Sequence, residues 1–300
     1  VDYKTSSGDY SKLPFDFLPS ANLVYSLSDK INVRAAFSKT VARPEFREVA
    51  PFSFYDFDAM ESRIGNDTLG RTDIGNYDLK FENFFGGGQV ISVSAFYKKF
   101  NDPIEQHVYP GSGAGSRTIT WVNADFASVY GVEMELRKNL DFLAKWAHWN
   151  QFKNITFSTN LAAIKSEVDQ SNDPNAWKPT RPLQGQSPYI LNFGLTYTEP
   201  VSEFSVGVFF NQIGRRLDAI GDKNYPDIYE SPRPLLDAQI SKRIFKGGSI
   251  KLNANDLLTR GFIFYQDQND NGRYDENNGD TTIVKQKVGA NISLSFNYNF

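Results

Sequence analysis

The chain has no cysteine, two histidines and two methionines among 300 residues, and four of its 44 aromatics are tryptophan. Without cysteine there is no disulfide framework, no thiolate metal site and no thiol nucleophile. His107 and His148 leave little material for an imidazole metal centre or a histidine base. An excess of one charge is also missing. The 32 Lys and Arg nearly balance the 35 Asp and Glu, whereas a nucleic-acid binder carries a basic face. No run approaches 18 apolar residues, so no membrane-spanning helix is expected, and the first residues do not read as a signal peptide. Nor is there a nucleophile elbow, a Ser–His–Asp set or a metal-ligand cluster, so the sequence does not read as an enzyme.

What is present is alternation. From Val288 to Phe300, Val288, Ala290, Ile292, Leu294, Phe296, Tyr298 and Phe300 alternate with Gly, Asn and Ser. A period of two gives a strand with one apolar and one polar face. The run exceeds the usual soluble strand and suits a tilted membrane strand of about 9–11 residues. Similar segments recur at 250–255, 236–241, 204–210, 191–197, 155–161, 130–137, 91–97, 77–85, 31–37 and 23–27. They predict about eleven antiparallel strands. The polar faces are rich in Ser, Asn, Gly and Thr with mixed charges at Arg34, Asp78, Lys80, Glu82, Lys98 and Arg243, as suits a wet lumen.

The connections point the same way. Short links at Ser28–Lys30, Gly86–Gly88, Glu199–Glu203 and Phe245–Gly248 alternate with long ones at 41–73, 100–126, 166–186, 215–233 and 258–285, if 139–153 is an enlarged short link. Outer-membrane barrels pair short periplasmic turns with long extracellular loops. The fold expected is all-β, a transmembrane antiparallel β-barrel. Eleven is odd and leaves open edges, which lipid does not tolerate, and Val1–Phe15 reads as the tail of a loop. Residues 1–300 are therefore expected to be the C-terminal part of a barrel of 22 strands. A complete 12-strand pore, with residues 1–10 as a poor first strand, is the rival.

Several stretches resemble one family. They are Arg43–Glu48 with Ala50-Pro51-Phe52, Asn76–Leu79, Ser92–Phe100 with Pro103-Ile104-Glu105, Tyr130–Leu136, Pro182–Tyr189 and Tyr225–Glu230, with the terminal Phe300. Together they resemble the C-terminal barrel region of TonB-dependent outer-membrane receptors of the Bacteroidetes type, which carry a carboxypeptidase-regulatory-like N-terminal domain. The resemblance implies an outer-membrane barrel filled by a plug, importing a scarce ligand (iron chelate, cobalamin, glycan or peptide) with energy from TonB. Neither plug nor TonB box is in this sequence. The implied partners are outer-membrane lipid, the TonB complex through that plug, the barrel-assembly machinery and, in SusC-like systems, a surface lipoprotein. Nucleic acid is not among them. A passive pore and a docking barrel for a lipoprotein or other envelope component are the alternatives.

Individual residues carry sharper expectations. Phe52, Phe54 and Tyr55 in the first long loop, with Trp121 and Trp177 in later ones, are candidate ligand contacts, loop packing being the plainer reading. Trp146 and Trp149 suit an interfacial girdle or a small helix that packs its own rings. Glu133 and Glu135 read with Arg137 as a lumen salt-bridge patch against the plug, not as a catalytic carboxylate pair. Asp267, Asn269, Asn271 and Asp275, with Gly272, follow the spacing of a calcium loop at 267–278, although Asn278 stands where a bidentate Glu belongs. Ordinary Asp/Asn/Gly turns give the same pattern. No cofactor is otherwise required. Phe300, in register with Phe296 and Tyr298, resembles the terminal signal read by the assembly machinery.

Overall fold

The computed structural model describes residues 16–57, 59–111, 116–171, 174–176 and 178–299. Eleven strands follow one another across a single antiparallel sheet. They are β1 (Ser20–Ser28), β2 (Ile31–Ala42), β5 (Thr72–Gly86), β6 (Gln89–Asn101), β9 (Phe126–Asn139) and β10 (Ile155–Asp169), then β12 (Tyr189–Glu199), β13 (Phe204–Ile213), β16 (Arg233–Phe245), β17 (Gly248–Asn255) and β20 (Asn291–Tyr298). The two-residue β11 (Thr180–Arg181) adds to the end of β10. Among the described residues, β1 and β20 are the free edges.

Register shows why the alternation gives this wall. Leu23, Ala35, Leu79, Ala95 and Val132 align across the first five strands, and Phe157, Leu195, Val208, Ala238, Ala254 and Ile292 across the last six. This face is open: Leu23 is 70% exposed, Leu79 55%, Val132 53% and Leu294 72%. A continuous apolar surface of this kind marks lipid contact. The opposite face carries Arg34, Lys80, Ser94 and Glu133 in one row. Several of its side chains are buried, among them Glu82, Ser92, Ala127, Val129, Ala162 and Val168. Crowding on the polar side and openness on the apolar side place the lumen on the polar side.

Turn chemistry follows the sequence. Gly86, Gly87 and Gly88 all have positive φ (83°, 58° and 74°), a region open to glycine at no steric cost. β2 ends two residues before Pro44, which has no N–H for the ladder. In the enlarged short link, a short helix (Asp141–Trp146) is followed by a 3-10 turn at Asn150–Asn154. Trp146 is 82% exposed there, and Trp149 stacks edge-on against Phe152. The helix is present but leaves Trp146 uncovered, as a girdle residue requires.

The long links are not loose. β3 (Ser53–Asp56), β4 (Glu61–Ile64), β7 (Ile104–Pro110) and β8 (Arg117–Asn123) form one four-stranded sheet, in the order β3-β4-β8-β7. A second sheet is made by β14 (Arg216–Ala219), β15 (Ile228–Glu230), β18 (Phe262–Gln266) and β19 (Thr281–Gln286). Expected as plain loops, these segments supply most of the tightest packing in the described chain.

The candidate site in the loop canopy

Each loop sheet is built from two long links that no local pattern connects. The first draws on 41–73 and 100–126, the second on 215–233 and 258–285. A parallel bridge between His107 and Ile220 joins them, with Val108 N–H donating to Ile220 C=O at 2.8 Å and Ile220 N–H to Gln106 C=O at 2.9 Å. Val108, Ile119, Ala219 and Ile228 form the core between the sheets, with Tyr225, Phe264 and Ile283 against it. The link 166–186 then ties the canopy to the wall. Leu183 N–H donates to Ser166 Oγ at 3.0 Å, and Ser166 shares the inward face of β10 with the buried Val168.

One ion pair anchors this junction. Arg181 donates two parallel hydrogen bonds to Glu105, at 2.8 and 2.7 Å, and the two side chains are 3% and 1% exposed. Bidentate geometry is the strong form of this contact. Glu105 also accepts from Gln184 N–H at 3.0 Å. Gln184 Oε1 in turn accepts from Gln106 N–H at 2.6 Å, and its amide donates to Asp218 C=O. The pair is absent from the sequence-derived candidates. Its partners lie 76 residues apart, and only the stretches Pro103-Ile104-Glu105 and Pro182–Tyr189 pointed to the two neighbourhoods.

Between the loop sheets lies a cavity of about 250 Å³ lined by Glu61, Arg63, Arg117, Ile119, Asp218 and Phe264, among others. Glu61 is held by Arg117 at 2.7 Å and Arg63 at 2.8 Å. Asp218 reaches the surface, yet protein surrounds its carboxyl in this recess. That desolvation, with the neighbouring Glu61 and Glu230 carboxylates, raises its pKa to about 6. The unfolded carboxyl titrates near 4. Between about pH 4 and 6 the unfolded chain therefore loses the proton first, and the cost to the fold grows with pH and is full above 6. Asp218→Asn is expected to raise the melting temperature at pH 7.5 and to leave it near wild type at pH 4. An equal gain at both pH values would contradict this.

The remaining candidates fall in different places. Phe52 and Tyr55 are 52% and 44% exposed. Phe54, on the other face of β3, lies under the Arg47 guanidinium at 5.5 Å. Phe57 is 81% exposed and meets Tyr55 edge-on, so this tip presents an open aromatic patch. Trp121 is only 6% exposed, buried on β8, with its C=O accepting from Asn66. It packs the canopy and offers a ligand no free surface. Trp177 and Phe300 lie outside the described residues. Glu133, Glu135 and Arg137 share the polar face and make no ion pair among the described residues.

The calcium-type loop is organised around an arginine. Asp267 accepts from Arg215 at 2.7 Å, from Gly272 N–H at 2.8 Å and from Asn271 N–H at 3.1 Å. Asn269 and Asn271 accept from backbone N–H groups within the loop. Asp275 caps the 3-10 turn Glu276–Asn278 by accepting from Asn277 N–H. The Arg215 guanidinium also sits 3.5 Å from the Tyr229 ring centroid. Among the described residues no group of three or more His, Asp or Glu side chains is placed to hold a metal. At Asp267, the buried carboxylate of the four residues, the charge in contact is the Arg215 guanidinium.

The solved ferric enterobactin receptor PfeA of Pseudomonas aeruginosa (a G324V mutant) superposes with a TM-score of 0.61 at 17% identity, covering 95% of this chain and 40% of that one. The copper transporter OprC gives 0.62 at 14% identity, over 94% and 39%. The FrpB iron transporter of Neisseria meningitidis gives 0.56 at 12%, over 94% and 39%. The chain thus spans about 40% of the length of these structures, and at such identities the likeness is one of fold. No curated protein matches the chain in sequence. The model of the outer membrane protein beta-barrel family matches residues 1–298, and it is to this family of the bacterial outer membrane that the chain belongs.

Proposed function

We propose that the chain is the loop-bearing C-terminal part of a longer, 22-stranded outer-membrane receptor, which captures a scarce ligand and imports it with energy delivered through TonB. One observation carries the reading: four long links fold into two joined sheets with their own core on the inward side of one end of the wall. A passive pore needs an unobstructed mouth, and such a canopy instead supplies walls for a ligand. The coupling to TonB rests on the family resemblance. The structural neighbours bear names of a ferric siderophore receptor, a copper transporter and an iron transporter, which supports a metal complex as cargo ahead of a glycan, cobalamin or peptide.

The test is uptake and conductance of the protein in its native membrane and in planar bilayers. Uptake of a radiolabelled ferric catecholate is expected to collapse with a protonophore, and the purified protein is expected to show no steady conductance. A stable open conductance, with uptake indifferent to the proton-motive force, would overturn the importer in favour of the pore.

A second reading has its own support. Phe46, Phe52, Tyr55, Phe57 and Met60 are all exposed within 15 residues of one link, a patch suited to a protein partner. A surface lipoprotein docked there would make this canopy half of a lidded site. Co-purification that depends on these side chains would support it.

A further inference from the structure

Three rows of side chains on the outward face of β2, β5 and β6 change character step by step toward the long-loop end. The lowest is Ala35, Leu79, Ala95; the next is Phe37, Tyr77, Tyr97; the uppermost is Lys39, Gly75, Lys99. Apolar side chains meet acyl chains, and aromatic rings sit at the headgroup level. The Phe37–Tyr77 and Tyr77–Tyr97 ring centroids lie 5.1 and 6.1 Å apart, a continuous aromatic floor. Immediately above it, two lysines flank a residue with no side chain. Strand spacing puts their backbones about 10 Å apart, leaving over Gly75 a gap bounded by the Tyr77 ring, 3.6 Å from where a Cβ would stand.

The gap is part of a cavity of about 440 Å³ lined by Asp16, Lys39, Arg71, Asp73, Gly75, Tyr77 and Lys99, among others. Its carboxylates are already engaged: Asp16 pairs with Arg43 and Arg71, and Asp73 lies 3.4 Å from Arg71. Lys39 and Lys99 are exposed and have no ion pair among the described residues, Lys99 lying over the Phe126 ring. The recess is therefore net cationic and opens on the lipid-facing side at the end of the apolar band.

We propose that this recess binds the phosphate of an outer-leaflet lipid headgroup, with Lys39 and Lys99 on either side of it. The acyl chains continue over Tyr77 and Leu79. The site is independent of the cargo site and of the importer reading, since it lies on the opposite face of the wall.

Native mass spectrometry of the full-length protein, solubilised in a neutral detergent and titrated with diphosphoryl lipid A, tests it. Wild type is expected to retain this lipid, and dephosphorylated lipid A to bind far more weakly. Lys39→Gln with Lys99→Gln is expected to reduce retention on the order of tenfold or more. Lys98→Gln, on the adjacent inward-facing position, is expected to change nothing. Gly75→Leu keeps both charges but fills the gap. Its Cβ has only ordinary contacts with the Tyr77 ring, the closer at 3.6 Å, so the barrel is expected to fold and the lipid to be lost. Heat-modifiable gel mobility checks folding of each variant. Wild-type retention by both the double lysine variant and Gly75→Leu would overturn the site. So would inorganic phosphate alone displacing the lipid at millimolar concentration, which would make it a free-phosphate site.

Discussion

Arg181→Met is expected to loosen the whole canopy while leaving the wall intact. The substitution removes both donors from Glu105, a carboxylate in a side chain 1% exposed, and leaves only Gln184 N–H against it. Breaking a buried ion pair from one side costs about 3–5 kcal/mol, because a charge stays buried without its counter-ion. Glu105 sits on β7, next to the hydrogen bonds that join the loop sheets through Gln106 and Ile220, so that cost falls on the joint between them. Amide exchange should rise at 104–110 and 216–220, and proteolysis of the long links should accelerate by orders of magnitude. The unheated protein should still migrate as a folded barrel. Glu105→Leu with Arg181→Met should recover much of the loss, since an apolar pair removes the uncompensated charge. Proteolysis of Arg181→Met at the wild-type rate would show that the pair does not hold the canopy.

A comparable effect is expected in the wall from a single charge on its apolar face. Leu195 is 47% exposed, near the middle of the 11-residue β12, and aligns with Phe157 and Val208. A lysine at the bilayer midplane of a barrel strand costs about 2–4 kcal/mol, falling toward zero near the interfaces. Leu195→Lys should therefore reduce folding into lipid vesicles strongly. Thr196→Lys, one residue on and facing inward beside Thr156 and Gly207, should fold almost as wild type. Equal tolerance of both would mean that this face does not meet lipid.

The wall was legible in the sequence because its code is local. Each strand repeats every two residues, and the pairing Leu195–Val208 follows from the short link between β12 and β13 once the faces are known. Eleven strands, the alternation of short and long links, the triple-glycine turn and the strand stop before Pro44 all follow from rules that act over a few residues. The canopy was illegible for the opposite reason. β4 pairs in parallel with β8 across more than 50 residues, and no turn type or period announces such a contact. Glu105 and Arg181 stand 76 residues apart, and nothing local pairs them. In the 267–275 loop the side-chain oxygens accept from backbone N–H groups, and the charge at Asp267 is Arg215, 52 residues earlier, which no local spacing announces. Trp121 shows the same limit, since burial depends on which distant loop arrives to cover a ring.

The most direct test of the central claim uses the absence of cysteine from these 300 residues, any cysteine elsewhere in the full-length protein being first replaced by serine so that each introduced thiol is the one labelled. Single cysteines placed in turn from Leu191 to Tyr197 would carry a spin label, in protein reconstituted into lipid vesicles. Labels at 191, 193, 195 and 197 are expected to be reached by oxygen dissolved in the bilayer. Those at 192, 194 and 196 are expected to be reached less by oxygen and more by a water-soluble nickel complex. Access to the aqueous reagent at all seven positions, with no period of two, would contradict a strand that separates lipid from lumen.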